Sequence, residues 1–300
     1  MISTEFKQKI IAKVREQRSL FSGTDAQYAT MLGISAAQYS RIQKGDLERV
    51  ISERSWMNLA YRYDVSETAA AEWLTVRTPV LEFISSQLED CQTKSLCGIL
   101  SDEVGIGKSY AAKYYSRTHT NVAYIDCSTC KTCRKFLARL AQELGIRKEG
   151  TFQDLFNDIV WHIKTQADRP LVILDEFGDL AREAVMEVKA LWNATEYRCG
   201  WYAMGATALQ QKIGNCIAQR IVGWSEVFDR LGHKYQRITP EVGKEMDEFM
   251  LSQAYQIADA NMRSAGEQVS SREVLRLVGE SGNNLRRIHQ AIIAKRRVAA

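Results

Sequence analysis

The chain has 300 residues, 45% of them hydrophobic and 25% charged, with a formal net charge of +4. This is the make-up of an ordinary globular protein with room for one large domain and smaller companions, and its apolar stretches are too short to cross a bilayer. The small net charge carries no argument for a nucleic-acid partner, which has to come from how charge is distributed. Met1-Ile2-Ser3-Thr4-Glu5-Phe6-Lys7 lacks the hydrophobic segment of a signal peptide, so a cytoplasmic location without membrane attachment is expected. Seven cysteines, an odd number, are then expected to be reduced.

Pro79 and Pro240 mark natural boundaries, because proline resists continuation of regular structure, and divide the chain into 1–78, 79–239 and 240–300. The first region reads as all helical. Within Asp25–Ile42, Ala29 permits close helix approach, Gly33 suits a turn, Ile34 packs inward and Ser35 can cap a second helix, as in a helix-turn-helix. This stretch resembles the Cro/repressor type of DNA-binding module. Gln38, Tyr39 and Arg41 would then be exposed reading residues, with Lys44 on phosphate. A small helical bundle used for protein contact is the competing reading, and the charge of 1–78, a net of +2, does not separate the two.

The middle region alternates short apolar runs with amphipathic stretches, the pattern of a parallel α/β sheet. Strands are expected at 95–100, 121–126, 171–175, 200–205 and 233–238, with helices near 108–118, 131–144, 152–166, 180–196 and 207–221. Directly after the first strand stands Gly105-Ile106-Gly107-Lys108-Ser109. Glycines there let backbone N–H groups close on phosphate oxygens, Lys108 can reach the outer phosphates, Ser109 can ligate Mg²⁺, and the next helix points its N-terminus at the anion. The third strand ends in Asp175-Glu176, one carboxylate for the metal and one to orient or deprotonate water. One position departs from the pattern G-x-x-x-x-G-K-[ST]: Asp102 stands where glycine is asked for, and its charge would repel phosphate unless it points away or binds metal.

Cys127, Cys130 and Cys133 form a C-x-x-C-x-x-C array that lacks the fourth ligand of a closed zinc site, so bystander thiols are the plainer expectation. Lys131, Arg134 and Lys135 open the helix after the second strand and are candidate contacts to DNA phosphate. The last region returns to helix. Residues 271–300 carry a net of +5, which suits either phosphate neutralisation or a solvated helix face.

The order of parts resembles the AAA+ ATPases: a small helical module, a phosphate loop, Asp-Glu on the third strand, and a helical lid carrying Gly282-Asn283-Asn284-Leu285-Arg286. Within them the chain resembles the phage Mu B family of transposition proteins over nearly its full length. The resemblance implies an AAA+ P-loop core with a parallel sheet, an N-terminal helix-turn-helix domain, a C-terminal lid, and ATP with Mg²⁺ as cofactors. It assigns Gly105, Ile106, Gly107, Lys108, Ser109, Tyr110 and Arg286 to the nucleotide, Ser109 and Asp175 to the metal, and Glu176 to catalysis. Thr207 would position water, and Arg230, with Arg220 as alternative, would reach a neighbouring subunit's γ-phosphate. A ring or helical filament on duplex DNA, a transposase partner and release by hydrolysis follow from the same resemblance. A helicase-loader-like ATPase and a transcriptional regulator with an ATPase switch are the alternatives.

Overall fold

Ser3, Thr24, Ser35 and Ser52 each open a helix in the front part of the chain, their side-chain oxygens accepting first-turn backbone N–H groups. Such caps satisfy donors that a helix start otherwise leaves free. In the computed structural model, which describes residues 2–67, 73–165, 167–241, 243–264 and 268–299, they start α1 (Thr4–Arg18), α2 (Asp25–Leu32), α3 (Ala36–Gln43) and α4 (Glu53–Tyr63). Gly33, at φ 75°, makes the turn between α2 and α3 in a conformation that glycine adopts without strain. The apolar faces meet around Ile10, Tyr28, Trp56 and Leu59, all fully buried. The polar end of Tyr28 is satisfied too, donating to the Val14 carbonyl (2.9 Å) and lying 2.9 Å from the Tyr63 hydroxyl.

Pro79 occupies the first turn of α5 (Pro79–Lys94), where its missing N–H costs nothing. Among the described residues, β1 (Cys97–Ser101), β2 (Val122–Asp126), β3 (Leu171–Asp175), β4 (Gly200–Gly205) and β5 (Tyr235–Gln236) form one sheet, in the order β2-β3-β4-β1-β5. Every pair is parallel. β3 and β4 are buried at all positions, as uninterrupted apolar runs require of inner strands covered on both faces. The expected strand 233–238 pairs only over Tyr235–Gln236, because Gly232 and His233 turn through positive φ before it.

Helices α6 (Lys108–Thr118), α7 (Cys133–Glu143), α8 (Phe152–Thr165), α9 (Arg182–Ala194), α10 (Thr207–Ala218) and α11 (Trp224–Arg230) connect the strands. The helix expected at 207–221 ends at Ala218, since Arg220 (φ 55°) and Gly223 (φ 96°) take left-handed values that stop the run, and α11 is a further, unexpected helix. One side of the sheet is covered by a core that includes Phe136, Leu140, Ile159 and Val188, the other by Ile84, Leu88 and Tyr115. Helix α5 passes so close to the start of β4 that a Cβ on Gly200 would lie 2.3 Å from the Cys91 carbonyl oxygen.

The remaining helices, α12 (Lys244–Arg263), α13 (Ser271–Glu280) and α14 (Leu285–Ala299), pack around Ala254, Ala258, Val274, Val278 and Ile288. Trp73 and Leu74, a few residues before α5, lie against this lid. The Trp73 ring meets His289 edge-on at 4.5 Å, and the Leu74 main chain exchanges two hydrogen bonds with the Asn261 amide (2.8 and 3.0 Å). The front helices are seated on α7: Arg62 grips Glu143 through both carboxylate oxygens, one at 3.0 Å, and Arg139 adds a bond at 2.8 Å.

Candidate nucleotide site

The phosphate-loop residues fold as their types require. Gly105 (φ 82°) and Gly107 (φ 100°) both take left-handed values, and the space where a Cβ on Gly105 would stand is open. Gly107 caps α6 with no side-chain hydrogen bond, so the first-turn N–H groups of that helix remain available to an anion. Ile106 is buried and anchors the loop. Lys108, also buried, donates to the carbonyls of Asp102 (2.9 Å) and Glu103 (2.5 Å). Burial pushes its ammonium below the usual lysine range, and the carboxylates of Asp102, Glu176, Asp175 and Glu103 pull it back.

Sheet order brings the two halves of the site together. β4 lies between β1 and β3, so the loop and Asp175 face each other across two strand spacings, about 10 Å. Thr207, the first residue of α10 after β4, emerges between them. Asp175 is 2% exposed, and its carboxylate accepts from the Tyr124 hydroxyl (2.6 Å) and the Glu176 N–H (3.1 Å). Glu176 takes φ 51°, a left-handed value uncommon for a residue with a side chain. Burial and Asp175 push its carboxyl above the usual range, against a downward pull from Lys108.

The lid closes over the loop at two points. The Gln253 amide of α12, buried, donates to the Ile106 carbonyl at 2.8 Å, and Leu285 Cδ1 would lie 3.7 Å from a Cβ on Gly107. Arg286 follows Leu285 in the first turn of α14 and is exposed there. Tyr110, on α6, hydrogen-bonds Thr75 of the segment before α5 (2.6 Å). Arg230 is elsewhere: it pairs with Glu196 (3.0 Å), and its charge acts on the thiol of Cys97 at the start of β1. That is the end of the sheet opposite the phosphate loop, so Arg230 cannot serve its own loop. Arg220 is exposed in the turn after α10.

These residues fit a magnesium nucleotide. Among the described residues no three His, Cys, Asp or Glu side chains group closely enough to hold a metal unaided. Mg²⁺, however, draws most of its shell from water and phosphate and needs one or two protein ligands, which Asp175 and Ser109 can supply. The open glycine cradle and the uncapped start of α6 suit the phosphates.

Asp102 takes one of the two outcomes open to it: its buried carboxylate points away from the phosphate cradle, to residues 237–239. The expectations for α3 need correction. Tyr39 is not an exposed reading residue: it is 3% exposed, packed edge-on against Tyr28 and hydrogen-bonded to Gln43. Gln38 is half-buried and spends its amide oxygen on the Ser35 N–H (2.9 Å) in the capping box. The solvent face of α3 is instead Ala36, Ala37, Ser40 and Arg41, continued by Lys44, with Arg41 paired to Asp46 at 2.6 Å. Lys131, Arg134 and Lys135 are exposed as expected, Lys131 in an ion pair with Asp179 (2.8 Å). Cys127 and Cys130 are buried, where burial raises both thiols above the usual range, and Cys133 begins α7.

Tyr124 and Gln253 were not singled out from the sequence. Strand alternation puts Tyr124 on one face with Asp126, but only the register, which pairs Asp126 with Asp175, brings its hydroxyl to Asp175. Gln253 sits mid-helix with no local signal.

The parallel sheet with its phosphate loop, Asp175-Glu176 and helical lid make a P-loop fold of the AAA+ class. Residues 91–213, which span β1 to β4, match the family model described as an AAA domain. Within that class the chain is Mu B-like. It is 24% identical over 212 residues to the ATP-dependent target DNA activator B of Escherichia phage D108, and to the protein of that name from Escherichia phage Mu, covering 69% of this chain in each case. It spans 64% of the length of those two relatives, just under two thirds. It is also 23% identical over 296 residues, 94% of each chain, to the Mu-like prophage FluMu DNA transposition protein B of Haemophilus influenzae.

Proposed function

We propose that this chain binds and hydrolyses ATP with Mg²⁺ and assembles on target duplex DNA as a ring or helical filament. In that state it recruits and stimulates a transposase, and hydrolysis releases it within the bacterial cytoplasm. The observation that carries the reading is the convergence of the phosphate loop, Asp175-Glu176 and the lid on one edge of the sheet. The printed names of the relatives, target DNA activators and a DNA transposition protein, support the DNA and transposase parts.

In this reading Lys108 keeps the Asp102 carbonyl as its seat and turns its remaining N–H groups to phosphate oxygens, while the first-turn N–H groups of α6 hold the rest of the anion. Ser109 and Asp175 hold the metal, which when bound neutralises phosphate charge and orients the terminal group. Tyr124 fixes the Asp175 carboxylate. Glu176 accepts the proton of the attacking water, its raised affinity for protons suiting it to a base, and Thr207 orients that water. Arg286 reads the nucleotide from the lid. Arg230, or Arg220, completes the site of the adjacent subunit, so that assembly and turnover are coupled. Arg134 and Lys135, with Lys131, Arg41 and Lys44, contact DNA backbone and read little sequence.

Electron microscopy on long duplex DNA with ATP, with ADP and without nucleotide tests the reading, beside Lys108→Ala. Filaments that need ATP and vanish in the variant are expected. Isolated particles that ignore nucleotide would refute assembly.

A further inference from the structure

Asp102, the departure from the phosphate-loop pattern, does something a glycine could not. Its N–H donates to the Gly205 carbonyl (3.3 Å), continuing the β1–β4 ladder one step past Ser101. Its side chain is wholly buried, and charge at that depth is tolerated only with full hydrogen bonding. The donors come almost entirely from one place. Oδ2 accepts the backbone N–H groups of Ile238 (2.7 Å) and Thr239 (3.1 Å), while Oδ1 accepts the Thr239 hydroxyl and the N–H of Glu103 (2.7 Å). The Arg237 guanidinium lies 3.7 Å from Oδ1 and braces the same segment through Thr239 (3.1 Å) and the Pro240 carbonyl (2.9 Å).

Residues 237–240 lead from β5 toward the lid helix α12. Asp102 therefore grips the lid hinge with its carboxylate while its own carbonyl seats Lys108 at 2.9 Å. One residue holds both the phosphate-binding lysine and the hinge, and the Glu103 N–H bond to Oδ1 (2.7 Å) fixes the carboxylate against the same peptide unit whose carbonyl seats Lys108.

We propose that Asp102 is a positioning residue that ties the seat of Lys108 to the lid hinge, so that nucleotide affinity and hinge order change together. The nucleotide part rests on the function proposed above; the mechanical tie does not. Because coupling between sites is reciprocal, loosening the hinge must weaken the loop's hold on nucleotide, and ordering the loop must order the hinge.

The full chain tests this through amide hydrogen exchange of the loop peptide 102–110 and the hinge peptide 236–243, with titration by a fluorescent ATP analogue. The variants are Asp102→Asn, Asp102→Gly, which restores the usual loop pattern, and Thr239→Val, a small change expected to fold. Without nucleotide, Thr239→Val speeds exchange in the loop peptide as well as in the hinge that carries it; acceleration confined to the hinge overturns the tie. With the analogue, both Asp102 variants bind about tenfold more weakly, within the usual span of coupling between sites, and Thr239→Ser restores what Thr239→Val loses. Wild-type affinity in the folded Asp102 variants would reduce Asp102 to a structural brace. Failure of the wild-type chain to bind the analogue would count against the ATPase reading and leave the loop-to-hinge exchange result to judge the tie.

Discussion

Replacing Tyr124 with phenylalanine removes one oxygen from the site and leaves the ring in place beneath Lys113, whose Nζ lies 5.5 Å from the ring centroid. The lost bond, 2.6 Å from hydroxyl to the Asp175 carboxylate, is short and charge-assisted. Asp175 is 2% exposed, so water does not readily replace the donor, and the Glu176 N–H at 3.1 Å still donates to it. A hydrogen bond to a charged group contributes about 2 kcal/mol, equivalent to about thirtyfold in a binding constant. Groups that orient a metal ligand typically change metal affinity by about 10–100-fold, the same range. Tyr124→Phe is therefore expected to raise the Mg²⁺ concentration that half-saturates ATP turnover by about thirtyfold, leaving metal-free nucleotide binding within about twofold. Magnesium titration of turnover and titration of a fluorescent analogue in chelator measure the two quantities. Unchanged magnesium dependence, or equal losses with and without metal, would show that the hydroxyl does not orient Asp175.

Glu176→Gln should bind nucleotide and turn it over slowly, leaving persistent DNA complexes, and the acid limb of the wild-type pH–rate profile should lie above the ordinary glutamate range and disappear in the variant. The sign for stability is opposite to that of a salt-bridged carboxylate: a raised folded pKa makes the native state bind the proton more tightly, so stability falls as pH rises from the unfolded to the folded value. Glu176→Gln should accordingly melt higher than wild type at neutral pH, with the difference shrinking in acid; a lower melting point at neutral pH would contradict this. Gly145→Ala places a Cβ 2.7 Å from the Gln27 carbonyl oxygen and 2.8 Å from Phe21 at φ 72°, where the front helices meet the turn after α7. Limited proteolysis should then cut between α4 and α5 faster while nucleotide binding is kept, and an unchanged cleavage rate would mean the two parts are not seated through this turn. The double variant Arg134→Ala, Lys135→Ala should reduce the slope of log affinity for duplex DNA against log salt by about 2, one phosphate contact per residue; an unaltered slope would remove both from the DNA surface.

What local chemistry dictates was readable in advance. Glycines before Lys108, unbroken apolar runs at 171–175 and 200–205, capping residues such as Ser35, and the left-handed turn at Gly33 each act over a few residues. Strand and helix identity, the phosphate loop and the acidic pair could accordingly be read from adjacent positions. The departures at the site share one cause. Tyr39 has the side chain of a reading residue, but its place on α3 turns it into the core against Tyr28. Asp102 looked like a defect because its partners, Ile238 and Thr239, lie more than 130 residues away. Tyr124 gained a role only when strand register set it diagonal to Asp175, and Gln253 only when the lid came down on Ile106. Backbone conformation and amphipathic period are properties of neighbouring residues, whereas the direction of a buried charge or hydroxyl is settled by which distant donor or acceptor satisfies it, because an unpaired polar group inside the protein is too costly to leave.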